Sequence, residues 1–148
     1  MPRSNIEIGT IYIEDMHVGL ARSISKTFTD HEIRLYAEIS EDYNPLHMDD
    51  DYADTTMFNG RIAHGMLTGA LLSAIIGEQL PGHGAVYLKQ DMQFLAPVRP
   101  GDHVTATITV AEIFPEKRRV RLDCVCTVGD KKVLKGEALV LAPSRNQG

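Results

Sequence analysis

GMLTGALLSAIIGEQL, residues 65–80, decides the fold. Its apolar residues do not gather on one stripe but surround the helix, as they do when a helix is buried on every side. Gly65, Gly69, Ser73 and Gly77 recur every four positions, so they form one line of small side chains down a single face. Two readings of that line stand side by side: close packing against a sheet, or one border of a ligand channel.

Immediately after this segment the period switches to two. GAVYLKQDMQFLAPV (84–98), HVTATITVAEIF (103–114), RRVRLDCVCTV (118–128) and KKVLKGEALVLA (131–142) alternate apolar with polar residues. Val104, Ala106, Ile108 and Val110 share one face, and Thr105, Thr107 and Thr109 share the other. Pro97, Pro100-Gly101-Asp102, Pro115-Glu116 and Gly129-Asp130 punctuate the runs as turns. Upstream, Gly19 to Thr27 reads as a strand. Thr29 with Glu32 three places on is a capping box opening a helix. That helix ends by Glu41 or Asp42, because Pro45 disfavours helical geometry at Asn44. A second short helix is expected at about Asp49 to Asp54. The order (strand, helices, then four antiparallel strands in a long meander) predicts an α+β fold, a sheet curled round one central apolar helix.

At 148 residues, with 43% hydrophobic residues, the chain makes one domain able to bury a core without disulfides or structural metal. A formal charge of −5 argues against nucleic acid as the main partner, since phosphate tracks need a basic face. The N-terminus has no continuous apolar stretch of signal type. The longest run without a charged residue, Ile62 to Gly77, is 16 residues with three glycines, too short for a comfortable membrane span. A cytoplasmic protein with no membrane segment is therefore expected. Cys124 and Cys126 alternate along a strand and should both face inward as reduced thiols; a zinc site would want more ligands at finger-like spacing.

The chemistry is concentrated in EDYNPLH, residues 41–47. On an uninterrupted helix, residues five apart point roughly 140° from one another, so Asp42 and His47 would diverge. Pro45 breaks the helix and lets the loop curl until both side chains aim at one place. A carboxylate and an imidazole converging there can hold a water and pass its protons, with Asn44 orienting either partner or the water. The bland alternative is that Asp, Asn and Pro simply make a turn and His47 caps the next helix. IAHGML (62–67) shifts the balance: Gly65 opens the buried helix, where unpaired N–H groups suit an oxygen gaining negative charge and no Cβ blocks the approach. Water activation opposite an oxyanion site is the equipment for adding water to a double bond conjugated to a carbonyl.

YAEISEDYNPLH (36–47), RIAHGML (61–67), LPGHGAVYLKQDMQFLAPVRPGD (80–102) and GEALV (136–140) together resemble the hydratase-2 motif and its flanking pieces in MaoC-like hot-dog proteins, in particular the single-domain (R)-specific enoyl-CoA hydratases, some of which feed polyhydroxyalkanoate synthesis. The similarity runs from about Val18 to Pro143. Glu41 departs from it, standing where the family usually has glycine. The resemblance implies a hot-dog fold with the Ile62–Leu80 helix wrapped by an antiparallel sheet, and a homodimer joined edge to edge with the acyl channel at the interface. It also implies syn hydration of trans-2-enoyl-CoA to (R)-3-hydroxyacyl-CoA by Asp42 and His47. Asn44 would support them and the Gly65 amide would bind the thioester oxygen. Neither the residues nor the resemblance call for a metal or other cofactor.

Further roles are expectations of the same kind. His64 is either a third group at the substrate or a packing residue that holds the helix start. Ser73 and Ile76, two to three turns along, would limit acyl length if the small-residue face lines the channel. Arg61, Lys89 and Arg99 are candidates for the CoA phosphates. Rival readings are a 3-hydroxyacyl-carrier-protein dehydratase, a hot-dog thioesterase and a non-catalytic acyl-thioester-binding subunit. The thioesterase is disfavoured because the central helix offers only Glu78 as a carboxylate.

Overall fold

The computed structural model describes residues 7–146. Its helices are α1 (Asp30–Ser40), α2 (Pro45–Met48), α3 (Asp50–Asp54) and α4 (Gly65–Glu78), and its strands β1 (Ala21–Thr27), β2 (Val86–Gln90), β3 (Gln93–Phe94), β4 (His103–Phe114), β5 (Arg119–Val128) and β6 (Lys131–Leu141). The sheet is antiparallel, ordered β1-β4-β5-β6-β2, with β3 also paired to β6. It wraps α4, whose Leu72, Ile75 and Ile76 pack with Val104, Ile108, Leu122 and Val140 from the strands' inner faces. This is the expected α+β hot-dog architecture. Both cysteines are buried free thiols on the inner side of β5.

The capping box forms as read: the Thr29 hydroxyl accepts from the Glu32 N–H at 3.2 Å, and the Glu32 carboxylate accepts from the Thr29 N–H at 3.3 Å. Helix α1 stops at Ser40 because Glu41 adopts φ 65°, ψ 15°, the left-handed C-cap conformation that favours glycine. Glu41, a departure from the family pattern, thus occupies a glycine-type conformation and keeps the loop's course.

Three expectations need correction. The central helix begins at Gly65 rather than Ile62 and ends at Glu78 rather than Leu80. Ile62 and Ala63 are engaged elsewhere: the Ala63 N–H bonds the Val98 carbonyl at 2.7 Å, and the Ile62 carbonyl takes a side-chain bond at 2.8 Å. The 84–98 run is two strands, not one. The chain breaks at Asp91, whose carboxylate accepts from the Glu137 N–H at 3.0 Å, while a Cβ on Gly136 would sit 2.1 Å from the Asp91 carbonyl oxygen. Finally, β2 pairs with β6 at the far edge instead of with β4, so only β4-β5-β6 is a simple meander. The Asp49–Asp54 helix is present from Asp50, with the Asp49 carboxylate accepting from the Tyr52 N–H as its cap.

Candidate active site

Pro45 starts a helical turn as well as breaking one. It occupies the first position of α2, where its missing N–H costs nothing, and Asn44 stays extended at φ −50°, ψ 125° as the N-cap. The Asn44 side-chain oxygen accepts from the Leu46 N–H at 3.0 Å, and the Asp42 carboxylate accepts from the Asn44 N–H at 3.2 Å. The loop therefore tightens through its own side chains. Asn44 acts as a cap that aims α2, and with it His47.

His47 is buried, and its Nδ1 bonds the Ile62 carbonyl at 2.8 Å. A carbonyl only accepts, so Nδ1 carries the proton and Nε2 holds the lone pair in the neutral ring. The same logic fixes His64, which is 2% exposed: Nε2–H donates to the Asp42 backbone carbonyl at 2.9 Å, leaving Nδ1 buried with no partner. Burial, reinforced by the neighbouring His47, holds the His64 pKa below the ordinary imidazole value, so the ring stays neutral. The rings of His47 and His64 lie 4.0 Å apart at 31°, and Tyr36 meets His64 edge-on at 4.8 Å. His64 thus ties the backbone of Asp42 to the ring of His47. It has almost no surface to offer a substrate.

One polar side-chain atom from each of Asp42, His47 and His64 lies within 4.8 Å of the other two. Two hydrogen bonds of ~2.8 Å meeting at a tetrahedral water span roughly 4.6 Å, so Asp42 and His47 stand at the separation one shared water bridges. Of His64, Nε2 is spent on the Asp42 carbonyl and Nδ1 is buried, which leaves the Asp42 carboxylate and His47 Nε2 as the acceptors a water would use. For a metal ion the same pair would be the only accessible protein ligands of the three.

His47 also lines a cleft of about 410 Å³ that includes Gly65, Met66, Thr68, Phe94 and Val133. At its wall the N–H groups of Leu67 and Thr68 bond the His64 carbonyl, while those of Gly65 and Met66 lie ahead of the first intrahelical acceptor. Phe94 is the residue the sequence did not single out. A Cβ on Gly65 would sit 2.6 Å from Phe94 Cε1, so this ring rests on the glycine where an oxyanion would be bound. The contact depends on β3 pairing with β6, a long-range event with no local signal.

The other expected residues lie elsewhere. Ile76 is 2% exposed in the core, and Ser73 is exposed two turns further along α4; neither lines this cleft within one protomer. The small-residue line divides: Phe94 covers Gly65 and Met92 covers Gly69, whereas nothing comes within 4 Å of a Cβ at Gly77. Arg61 is taken by Asp30 at 2.6 Å and Asp50 at 2.8 Å, and the Arg99 guanidinium donates to the carbonyls of Gly60, Arg61 and Phe58. Lys89 alone of the three is left exposed without a carboxylate among the described residues.

The MaoC like domain model matches residues 16–135. The chain is 49% identical over 134 residues to the (R)-specific enoyl-CoA hydratase of Rhodospirillum rubrum, covering 90% of this chain and 93% of that one. It is 47% identical over 141 residues to the 3-hydroxybutyryl-CoA dehydratase of Methylorubrum extorquens, covering 95% and 90%. The solved (R)-hydratase from A. caviae involved in PHA biosynthesis superposes with a TM-score of 0.85 at 40% identity, covering 88% of this chain and 99% of that one. The chain belongs to the MaoC-like family.

Proposed function

We propose that this protein is an (R)-specific enoyl-CoA hydratase, adding water reversibly and syn to trans-2-enoyl-CoA. The observation that carries the reading is the approach of Asp42 and His47 to within a water's span, beside a cleft that also holds the start of α4. Both groups are acceptors in the resting state, so a water between them donates one hydrogen to His47 Nε2 and one to the Asp42 carboxylate. Its lone pair is left to aim at C3 of the enoyl chain. As the oxygen attacks C3, the C2=C3 pair moves toward C1 and the thioester oxygen becomes negative. The N–H groups of Gly65 and Met66 receive that charge. The Asp42–His47 pair, now holding the water proton, returns it to C2 on the same face. Dehydration is the reverse and begins with the pair protonated once.

The catalytic unit is a homodimer on this reading. Strand β2 ends the sheet, and Val86, Tyr87 and Leu88 expose 39–49% of their surface along it. An apolar, unpaired edge is a ready template for a second copy of the chain. The substrate is a CoA thioester, and the setting is cytoplasmic.

The test is loss of the crotonyl-CoA enoyl chromophore, with assignment of the product's configuration. An (R) product is expected, with Asp42→Asn and His47→Gln folded but slowed by about 10²–10⁴-fold each. Full activity in either variant removes that residue from the mechanism. Faster turnover of the acyl-carrier-protein thioester than of crotonyl-CoA would move the assignment to the carrier-protein dehydratase.

A further inference from the structure

A second cleft lies on the sheet face turned away from α4. Along β5, Val120 and Leu122 point inward to the core, so Arg119 and Arg121 point outward; along β6, Ala138 and Val140 point inward and Leu139 outward. Register then sets Lys89, Leu139, Arg121 and Glu112 in one row across β2, β6, β5 and β4, with Arg119 beside Phe114 in the next. Of these, Lys89, Leu139, Arg121, Arg119 and Phe114, together with Lys117, line a cleft of about 310 Å³, the lower end of small-molecule site volumes.

The charges in this cleft are unbalanced in one direction. Its lining holds four cations, Lys89, Lys117, Arg119 and Arg121, against two carboxylates: Asp91, which accepts from the Glu137 N–H, and Glu137, which pairs with Arg121 at 3.0 Å. Arg121 also meets Glu112 at 3.4 Å and Asp123 at 3.5 Å. Lys89, Lys117 and Arg119 have no carboxylate partner among the described residues, yet all three line one cleft in a chain of net charge −5. Lys117, Arg118, Arg119 and Arg121 fall within five positions. The partly exposed Phe114 ring and the Leu139 side chain provide an apolar wall between the cations. Three unmatched cations beside an aromatic ring suit a ligand carrying phosphates on a flat base.

We propose that this cleft binds the phosphates and base of an adenine nucleotide, the chemistry shared by the head group of an acyl-CoA and by a free nucleotide. The acyl-CoA source rests on the hydratase reading; the binding itself does not.

The experiment titrates the full chain with adenosine 3′,5′-bisphosphate by calorimetry at low salt, with adenosine as the phosphate-free control. Saturable binding of the bisphosphate and none of adenosine is expected, weakened at least about tenfold in Lys117→Glu/Arg119→Glu and kept in Lys117→Arg/Arg119→Lys. These side chains are surface groups, and thermal melts verify that both variants fold. No saturable binding, or equal binding by the charge-reversed variant, overturns the proposal. Kinetics then separate the sources. A KM raised for crotonyl-CoA but not for crotonyl-pantetheine assigns the cleft to the substrate's head group. Unchanged KM for both, with nucleotide binding lost, assigns it to a free nucleotide. Nucleotide binding in a protein that hydrates neither thioester would sink the hydratase reading and leave this site standing.

Discussion

Replacing His64 with phenylalanine isolates the bond between the helix start and the catalytic loop. The ring volume and its contacts with His47 and Tyr36 are kept; what is lost is the 2.9 Å hydrogen bond to the Asp42 carbonyl. Leaving that carbonyl without its donor costs about 1–3 kcal/mol. For a chain of this length about 2 kcal/mol lowers Tm by roughly 4–8 °C. With the Asp42 backbone untethered, the carboxylate drifts from its place opposite His47, and displacement of this kind costs up to about 10²-fold in rate. Because His64 is 2% exposed and does not line the cleft, kcat for crotonyl-CoA hydration should fall while KM changes little. His64→Gln, whose amide can donate from a position near the imidazole Nε2, should recover part of both losses. A Phe variant with wild-type Tm and kcat would refute the tether, and a Gln variant no better than Phe would assign the role to the ring alone. The pH dependence carries its own sign. The folded state holds the His64 pKa below its unfolded value of about 6.5, so the unfolded chain binds more protons as pH falls. Wild-type stability therefore declines below about pH 6.5, and His64→Gln lacks that component of the decline.

Three further outcomes follow from contacts at the site and in the core. Gly65→Ala puts a methyl 2.6 Å from the Phe94 ring, which can swing aside because it is 54% exposed, so stability should change little while kcat/KM falls about 10–100-fold. Phe94→Ala in the same chain should relieve the clash without restoring turnover. Asn44→Ala removes the cap of α2 and should cost about 1 kcal/mol in denaturant titration, with a larger proportional loss in kcat than in KM because His47 rides on that turn. Burial pushes the Cys124 and Cys126 thiols up to about 11 and about 12, so neither should react with a thiol reagent at pH 8 until the protein is unfolded. Labelling of the native protein would contradict their packing.

Much of this architecture was legible because its signals are local. The Thr29–Glu32 box, the alternation of His103–Phe114 and the all-round apolarity of α4 each declare an element within a few residues. The proline at 45 likewise marks the bend that lets Asp42 and His47 converge. What the sequence left open depends on long-range pairing. Nothing in GAVYLKQDMQFLAPV says that it will break at Asp91, because the break is permitted by Gly136, a residue far along the chain in β6. The sequence could not tell Arg61 and Arg99 from Lys89 as phosphate ligands. The first is claimed by Asp30 and Asp50, the second by loop carbonyls, and both sets of partners arrive only through tertiary folding. Ser73 and Ile76 limit acyl length only if the small-residue face lines the channel, and helical spacing cannot establish that condition. Spacing placed them at neighbouring turns, but burial went to Ile76 and exposure to Ser73, and the site cleft reaches neither.

The grip of Asp42 and His47 on a single water is tested most directly by hydrating crotonyl-CoA in D2O and resolving the product by NMR. One pair delivering both hydroxyl and deuteron predicts a single diastereomer of (R)-3-hydroxybutyryl-CoA, with deuterium at C2 on the same face as the new hydroxyl at C3. Anti addition, or a mixture of C2 epimers formed at the rate of hydration, would contradict it.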